Sequence, residues 1–159
     1  MKKIFNLLLL PVFFFILTNT LQASHIVGGD ISYECLGPSP TSGIMQYRIT
    51  MHVYRDRVNG QAPFDNPAVV GIYTGLNLSS TYTTLRLLNP IVTNIPIVFT
   101  NPCLVAPPNI GVEEAVYEQI VELPFDSTGY TISYQRCCRN YTVNNLAIPR
   151  STGATYTIS

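Results

Sequence analysis

Between residues 45 and 53 the chain alternates without a break. Met45, Tyr47, Ile49, Met51 and Val53 hold the odd positions, and Gln46, Arg48, Thr50 and His52 the even ones. A period of two over this length predicts a strand with one face on a core and the other in water. Ile31, Tyr33 and Cys35 alternate in the same way with Asp30, Ser32 and Glu34. Tyr130, Ile132 and Tyr134 alternate with Thr131, Ser133 and Gln135. Ala115, Tyr117, Val121 and Leu123 share a further apolar face, interrupted by Gln119. Shorter strands are predicted at 69–73, 83–88, 95–99 and 154–158. Turn-forming residues separate them: Gly37-Pro38-Ser39-Pro40, Asn59-Gly60, Asn101-Pro102, Pro107-Pro108-Asn109 and Ser127-Thr128-Gly129. No helical face emerges after residue 23. About eight short strands joined by polar turns predict an all-β chain, an antiparallel β-sandwich of immunoglobulin-like kind.

The first 23 residues have a different pattern. Lys2 and Lys3 precede an apolar run from residue 4 to 17, and small Ala23 stands before Ser24. This is the pattern of a secretory signal peptide cut after Ala23. The run is shorter than the ~20 residues of a bilayer span, and no later stretch is long enough to span. The expected organisation is a leader at 1–23 and a single β-sandwich module at 24–159. That module is exported to the cell surface or beyond, with no stable membrane insertion after cleavage.

Removing the leader changes the charge. Both lysines go with it, leaving seven arginines against nine carboxylates, a formal net charge of −2. A phosphate-backbone binder needs clustered positive charge, so nucleic acid is not an expected partner. All ten tyrosines lie after the leader, as half-buried strands favour.

Candidate catalytic chemistry is thin. Ile26-Val27-Gly28-Gly29 matches the way many activated trypsin-like proteases begin. Such an enzyme also needs a histidine base, an aspartate and a serine beside an oxyanion hole. Here His25 precedes the run, His52 lies on the polar face of a strand, and neither Gly-Asp-Ser-Gly-Gly nor Gly-x-Ser-x-Gly occurs. Gly28-Gly29 instead predicts a flexible or bulged lead-in to the first strand. Glu113 and Glu114 are adjacent, so a strand would point them to opposite faces. The expectation is no enzyme, no catalytic residues and no cofactor. Asp56 and Asp65 flank a glycine-containing loop and are the only candidate calcium ligands. Asn77-Leu-Ser79 and Asn140-Tyr-Thr142 fit the short N-glycosylation pattern.

Cys35, Cys103, Cys137 and Cys138 make an even count in an exported chain, which predicts two disulfides. The Cys-x-x-Cys spacing usual for zinc is absent. Joining adjacent Cys137 and Cys138 would close a tight ring of poor geometry, so each is expected to pair with Cys35 or Cys103. Counting by twos puts Cys35 and Cys138 on core faces and Cys137 outward. This favours Cys35–Cys138 and Cys103–Cys137, although one bulge near Arg136 would invert the choice. Arg136 and Arg139 are expected to pair with nearby carboxylates or loop carbonyls.

The segments SHIVGGDISYECLG, YRITMHVYRD, PFDNPAVVGIY, NPCLVAPPN, GYTISYQRCCRN and STGATYTIS together resemble the amino-terminal region of large secreted Bacteroidetes surface proteins. These are of the gliding-motility-associated kind, exported by the type IX secretion system. The resemblance covers nearly all of residues 24–159. It implies a structural or adhesive surface module whose partners are cell-surface glycans or envelope proteins. A carbohydrate-binding accessory domain is the alternative, which exposed tyrosines in a shallow groove would favour. Where the relatives tend to read YRDC this chain has Arg57, and where they tend to read NVCV it has Asn109-Ile110-Gly111-Val112. The two departures imply loss of a paired disulfide. The relatives also continue past the point matching Ser159, which implies a truncated frame or a short stand-alone form.

Overall fold

The computed structural model describes residues 26–159 apart from 61, 99, 106 and 108. The expected leader at 1–23, Ser24 and His25 therefore lie outside the described residues. Eight strands follow in order: β1 (Ile26–Pro38), β2 (Ile44–Asp56), β3 (Ala68–Thr74), β4 (Thr81–Leu87), β5 (Ile91–Ile95), β6 (Val112–Pro124), β7 (Tyr130–Arg136) and β8 (Ala154–Ile158). A short 3₁₀ turn at Pro149–Ser151 is the one helical element among the described residues. No helix there is long and apolar enough to cross a membrane.

The strands form two four-stranded sheets, β1-β2-β6-β5 and β4-β3-β7-β8, with every neighbour antiparallel. Successive strands pair as hairpins, and the hairpins alternate between the sheets. This gives a β-sandwich-like arrangement, as the alternation predicts. Its core is the set of residues that pleating points inward. Ile49, Met51 and Val53 of β2 meet Ala115 and Tyr117 of β6, Ala68 and Val70 of β3, Leu87 of β4, and Ile132 and Tyr134 of β7. The 45–53 alternation extends on both sides because β6 pairs with β2 along its whole length, from Ile44 opposite Pro124 to Asp56 opposite Val112.

Three expectations are corrected. The 95–99 strand is displaced to Ile91–Ile95. Pro96 has no N–H to give a ladder, so the strand stops before it. Tyr33 and Cys35 share the inward row of Ile31 yet are exposed, because β1 runs on to an open pole of the sandwich. Thr131 and Ser133, expected toward solvent, are buried. On that outer face the ring of Tyr73 lies along its own strand over Gly71, where an added Cβ would come within 2.7 Å of it. Thr131 and Ser133 pair with Tyr73 and Gly71. Thr131 also donates to the Gly75 carbonyl at 2.6 Å.

The cysteines differ most. Cys137 is bonded to Cys138 across a cis peptide, with their Cα atoms 3.1 Å apart, while Cys35 and Cys103 are exposed free thiols. The expected Cys35–Cys138 and Cys103–Cys137 bridges are therefore not formed. β7 ends at Arg136, so counting by twos has no strand to run on at 137 and 138. Arg139 bridges to Ile26 at the start of β1, and Cys35 lies nine residues farther along that strand. At ~3.3 Å per residue this is about 30 Å, far beyond the ~7 Å a disulfide can span between Cα atoms.

Candidate functional site

The two poles of the sandwich hold the candidate sites. One pole gathers the end of β2, the start of β6 and the 137–152 segment. Asp56 closes its loop there by accepting from Val58 N and Asn59 N, both at 2.9 Å, from Asn59 Nδ2 at 3.0 Å and from Asn140 Nδ2 at 3.1 Å. Burial alone would raise the Asp56 pKa, but these donors outweigh it and hold it below the usual carboxylate value. Asp65 accepts from the Tyr134 hydroxyl at 2.8 Å and from Arg136 Nη2 at 3.0 Å. Its carbonyl accepts from the Tyr117 hydroxyl at 2.7 Å. The two candidate calcium ligands are thus engaged in separate networks, Asp56 by N–H donors and Asp65 by one O–H and one N–H donor. No group of three or more His, Cys, Asp or Glu converges among the described residues.

Arg136 meets a carboxylate, as expected, and Arg139 Nε donates to the Gly153 carbonyl at 3.1 Å. Asn140 is fully buried and its Oδ1 caps Thr142, so this glycosylation sequon is closed to modification in the folded chain. At the same pole Arg57 N donates to the Gly111 carbonyl at 2.8 Å, continuing the β2–β6 ladder by one residue.

Of the residues that raised the protease question, Ile26 and His52 are described and lie in different settings. Ile26 is buried at the start of β1, and a bulge follows between Ile26 and Gly28. His52 stands on the outer face of the β1-β2-β6-β5 sheet, its Nδ1 2.7 Å from Glu114 Oε1. That contact, with a further hydrogen bond from Tyr54, holds the Glu114 carboxyl below its usual value against the opposing effect of burial. Glu113 points the other way, to Arg55, whose guanidinium lies 4.7 Å over the Phe64 ring.

The opposite pole is open. Between the sheets lies a cleft of about 180 Å³. Its floor is Leu123 of β6 and Ile132 of β7. Tyr33 and Tyr47 form one wall, Tyr130 the other, and Leu76, Phe125 and Asp126 the rim. Tyr33 and Tyr47 meet edge to face at 6.1 Å, and Tyr82 meets Tyr130 at 5.6 Å. Phe125 is 75% exposed and Leu76 81%. Both join the tyrosines in one lining, and contiguous exposed apolar surface of this kind marks interaction sites.

Local chemistry fixes the rim. Gly75 and Gly129 both take positive φ, at 74° and 73°, and Gly75 N donates to the Gly129 carbonyl at 2.8 Å. This ties the β3–β4 loop to the β6–β7 turn. Asp126 accepts from Thr128 Oγ1 and N through its Oδ1, which lowers its pKa. Tyr130 donates to the Pro124 carbonyl at 2.9 Å. Burial raises the pKa of Tyr47, with Cys35 and Tyr33 adding to it. Burial also raises that of Tyr130, aided by Tyr82, Asp126 and Tyr47. Both phenols therefore stay neutral at physiological pH. Cys35 pairs across β1 and β2 with Tyr47, which lines the cleft. The tyrosine count signalled such a surface in the sequence, but Leu76 and Phe125 carried no signal because they lie in turns.

No protein-family model, curated protein or solved structure matches the chain.

Proposed function

We propose that this chain is a non-catalytic, exported module of immunoglobulin-like topology that acts structurally or adhesively at the cell surface, as part of a gliding-motility-associated protein. The strand order supports the topology. With the strands lettered A, B, C, C′, D, E, F and G in chain order, the sheets read ABED and C′CFG, the immunoglobulin arrangement with one added strand. Tyr130, at the start of F, donates to a backbone carbonyl six residues upstream, as the tyrosine corner of such domains does. The adjacency of positions 57 and 111 supports the resemblance, since these are the two places where the relatives carry cysteine.

The observation that carries the adhesive role is the open aromatic pole, where Phe125 and Leu76 flank three tyrosines. The test is protease shaving of intact native-host cells, followed by detection of this chain. The reading requires removal of the chain by the protease and a mature terminus at Ser24. A chain that resists shaving and retains residues 1–23 contradicts it. A carbohydrate-binding accessory role is the second reading, favoured by the tyrosines lining the cleft.

A further inference from the structure

We infer that the cleft at the open pole takes a neutral hexopyranose unit of a glycan, and discriminates against acidic sugars. This rests on the reading of that pole as a contact site and names its ligand class. A pyranose has an apolar C–H face and a rim of hydroxyls. Tyr33 and Phe125 present exposed ring surface to such a face, and aromatic rings carry both large contact area and a defined orientation. Tyr33 and Tyr47 stand at the same wall, and their hydroxyls can donate and accept. Asp126, on the rim, uses its Oδ1 on Thr128. Oδ2 can accept from a sugar hydroxyl.

Charge narrows the class. Ser159 completes the lining, whose side chains include one carboxylate and no arginine, lysine or histidine. A uronic, sialic or sulfated sugar would bring its anion beside Asp126 with no cation to meet it. The size fits a single ring on a shallow floor of Leu123 and Ile132, so affinity for one unit is expected on the order of 1 mM.

The test is saturation-transfer NMR of the whole chain. The probes are methyl glycosides of glucose, galactose, mannose and N-acetylglucosamine, with free glucuronic and N-acetylneuraminic acids as the acidic arm and the corresponding free hexoses as a third arm. Transfer to ring C–H protons of at least one neutral glycoside is expected, and about tenfold weaker binding of the acids. Tyr33→Ala and Phe125→Ala, both at exposed positions, should each weaken binding about fivefold or more. Retained thermal stability would show that neither acts by unfolding the chain. Preference for the blocked glycosides over the free hexoses would assign the glycan, and the reverse would overturn that part.

Absence of transfer from every neutral probe at 10-fold above about 1 mM overturns the inference. Acids that bind as well as neutral sugars, or binding unchanged in both variants, also overturn it. Cell adhesion that is lost in Tyr33→Ala while no sugar binds would sink the sugar and leave the adhesive module standing.

Discussion

A disulfide placed across the end of the β2–β6 ladder provides a quantitative test of the register. Asp56 pairs with Val112, and the hydrogen bond from Arg57 N to Gly111 O makes 57 and 111 the next pair. Cα atoms of a hydrogen-bonded antiparallel pair lie about 5.5 Å apart, within the range a disulfide spans. A Cβ added at Gly111 would meet Arg57 Nε, Arg57 Nη2 and Val58 Cγ2, each at 3.2 Å. Arg57→Cys removes the first two contacts, and a shift of a few tenths of an ångström in the Val58 side chain accommodates Gly111→Cys in the double variant. The closed loop has about 55 residues, which in the chain-entropy model stabilises by about 4 kcal/mol, an upper figure because engineered bridges often deliver less. The assay is thermal unfolding of Arg57→Cys/Gly111→Cys on a Cys35→Ser/Cys103→Ser background, oxidised and reduced, beside the same background alone. A rise in Tm on the order of 10 °C is expected in the oxidised form only. If the new cysteines fail to cross-link, or cross-link and lower Tm, the register at this pole is wrong.

Other outcomes follow from the packing. Asp65→Ala should cost about 2–3 kcal/mol in urea unfolding, since it orphans the Tyr134 hydroxyl and Arg136. Gly29→Ala should cost about 1–3 kcal/mol, because its Cβ would lie 2.7 Å from the His52 carbonyl oxygen and 2.9 Å from the Tyr156 ring. Burial, then Asp65, raises the Tyr117 pKa to about 12, so the folded chain holds this proton more tightly than the unfolded one. Its contribution, about 2–3 kcal/mol, is whole below about pH 10 and is lost as the pH climbs through 12. Urea midpoints at pH 9, 10 and 11 should therefore fall in that order. In thiol titration of the native protein, Cys35 and Cys103 should react and Cys137 and Cys138 should appear joined on peptide mapping.

How far the sequence speaks depends on whether a residue's environment is local. The β2 strand is legible because its alternation continues along a strand paired on both edges. The Glu113–Glu114 split was legible for the same reason: adjacent strand residues face opposite ways, one to Arg55 and one to His52. β5 was misplaced because Ile95, Ile97 and Val98 look like a strand until Pro96 is given its missing donor. Thr131 and Ser133 read as solvent-facing because nothing in their own strand announces Tyr73 folding over Gly71. The cysteine pairing failed where β7 ends, since period-two counting carries no information past the last paired residue. The cleft joins residues from β1, β2, β6, β7 and two turns, and its rim depends on tertiary contacts between Gly75 and Gly129.

The two free thiols offer the most direct test of the central claim, that the open aromatic pole is the contact surface. Cys35 pairs with Tyr47, which lines the cleft. Cys103 lies in the loop between β5 and β6, whose ends pair at the opposite pole through Ile95 and Val112. Tyr47 and Asp56 are nine residues apart on β2, so the poles are separated by about 30 Å. A bulky maleimide is attached to Cys35 in Cys103→Ser protein and to Cys103 in Cys35→Ser protein, and each is measured for adsorption to native-host cells against its unlabelled form. Blocking at Cys35 should abolish adsorption and blocking at Cys103 should leave it unchanged. Adsorption that survives the Cys35 label, or that is lost only with the Cys103 label, would contradict the account.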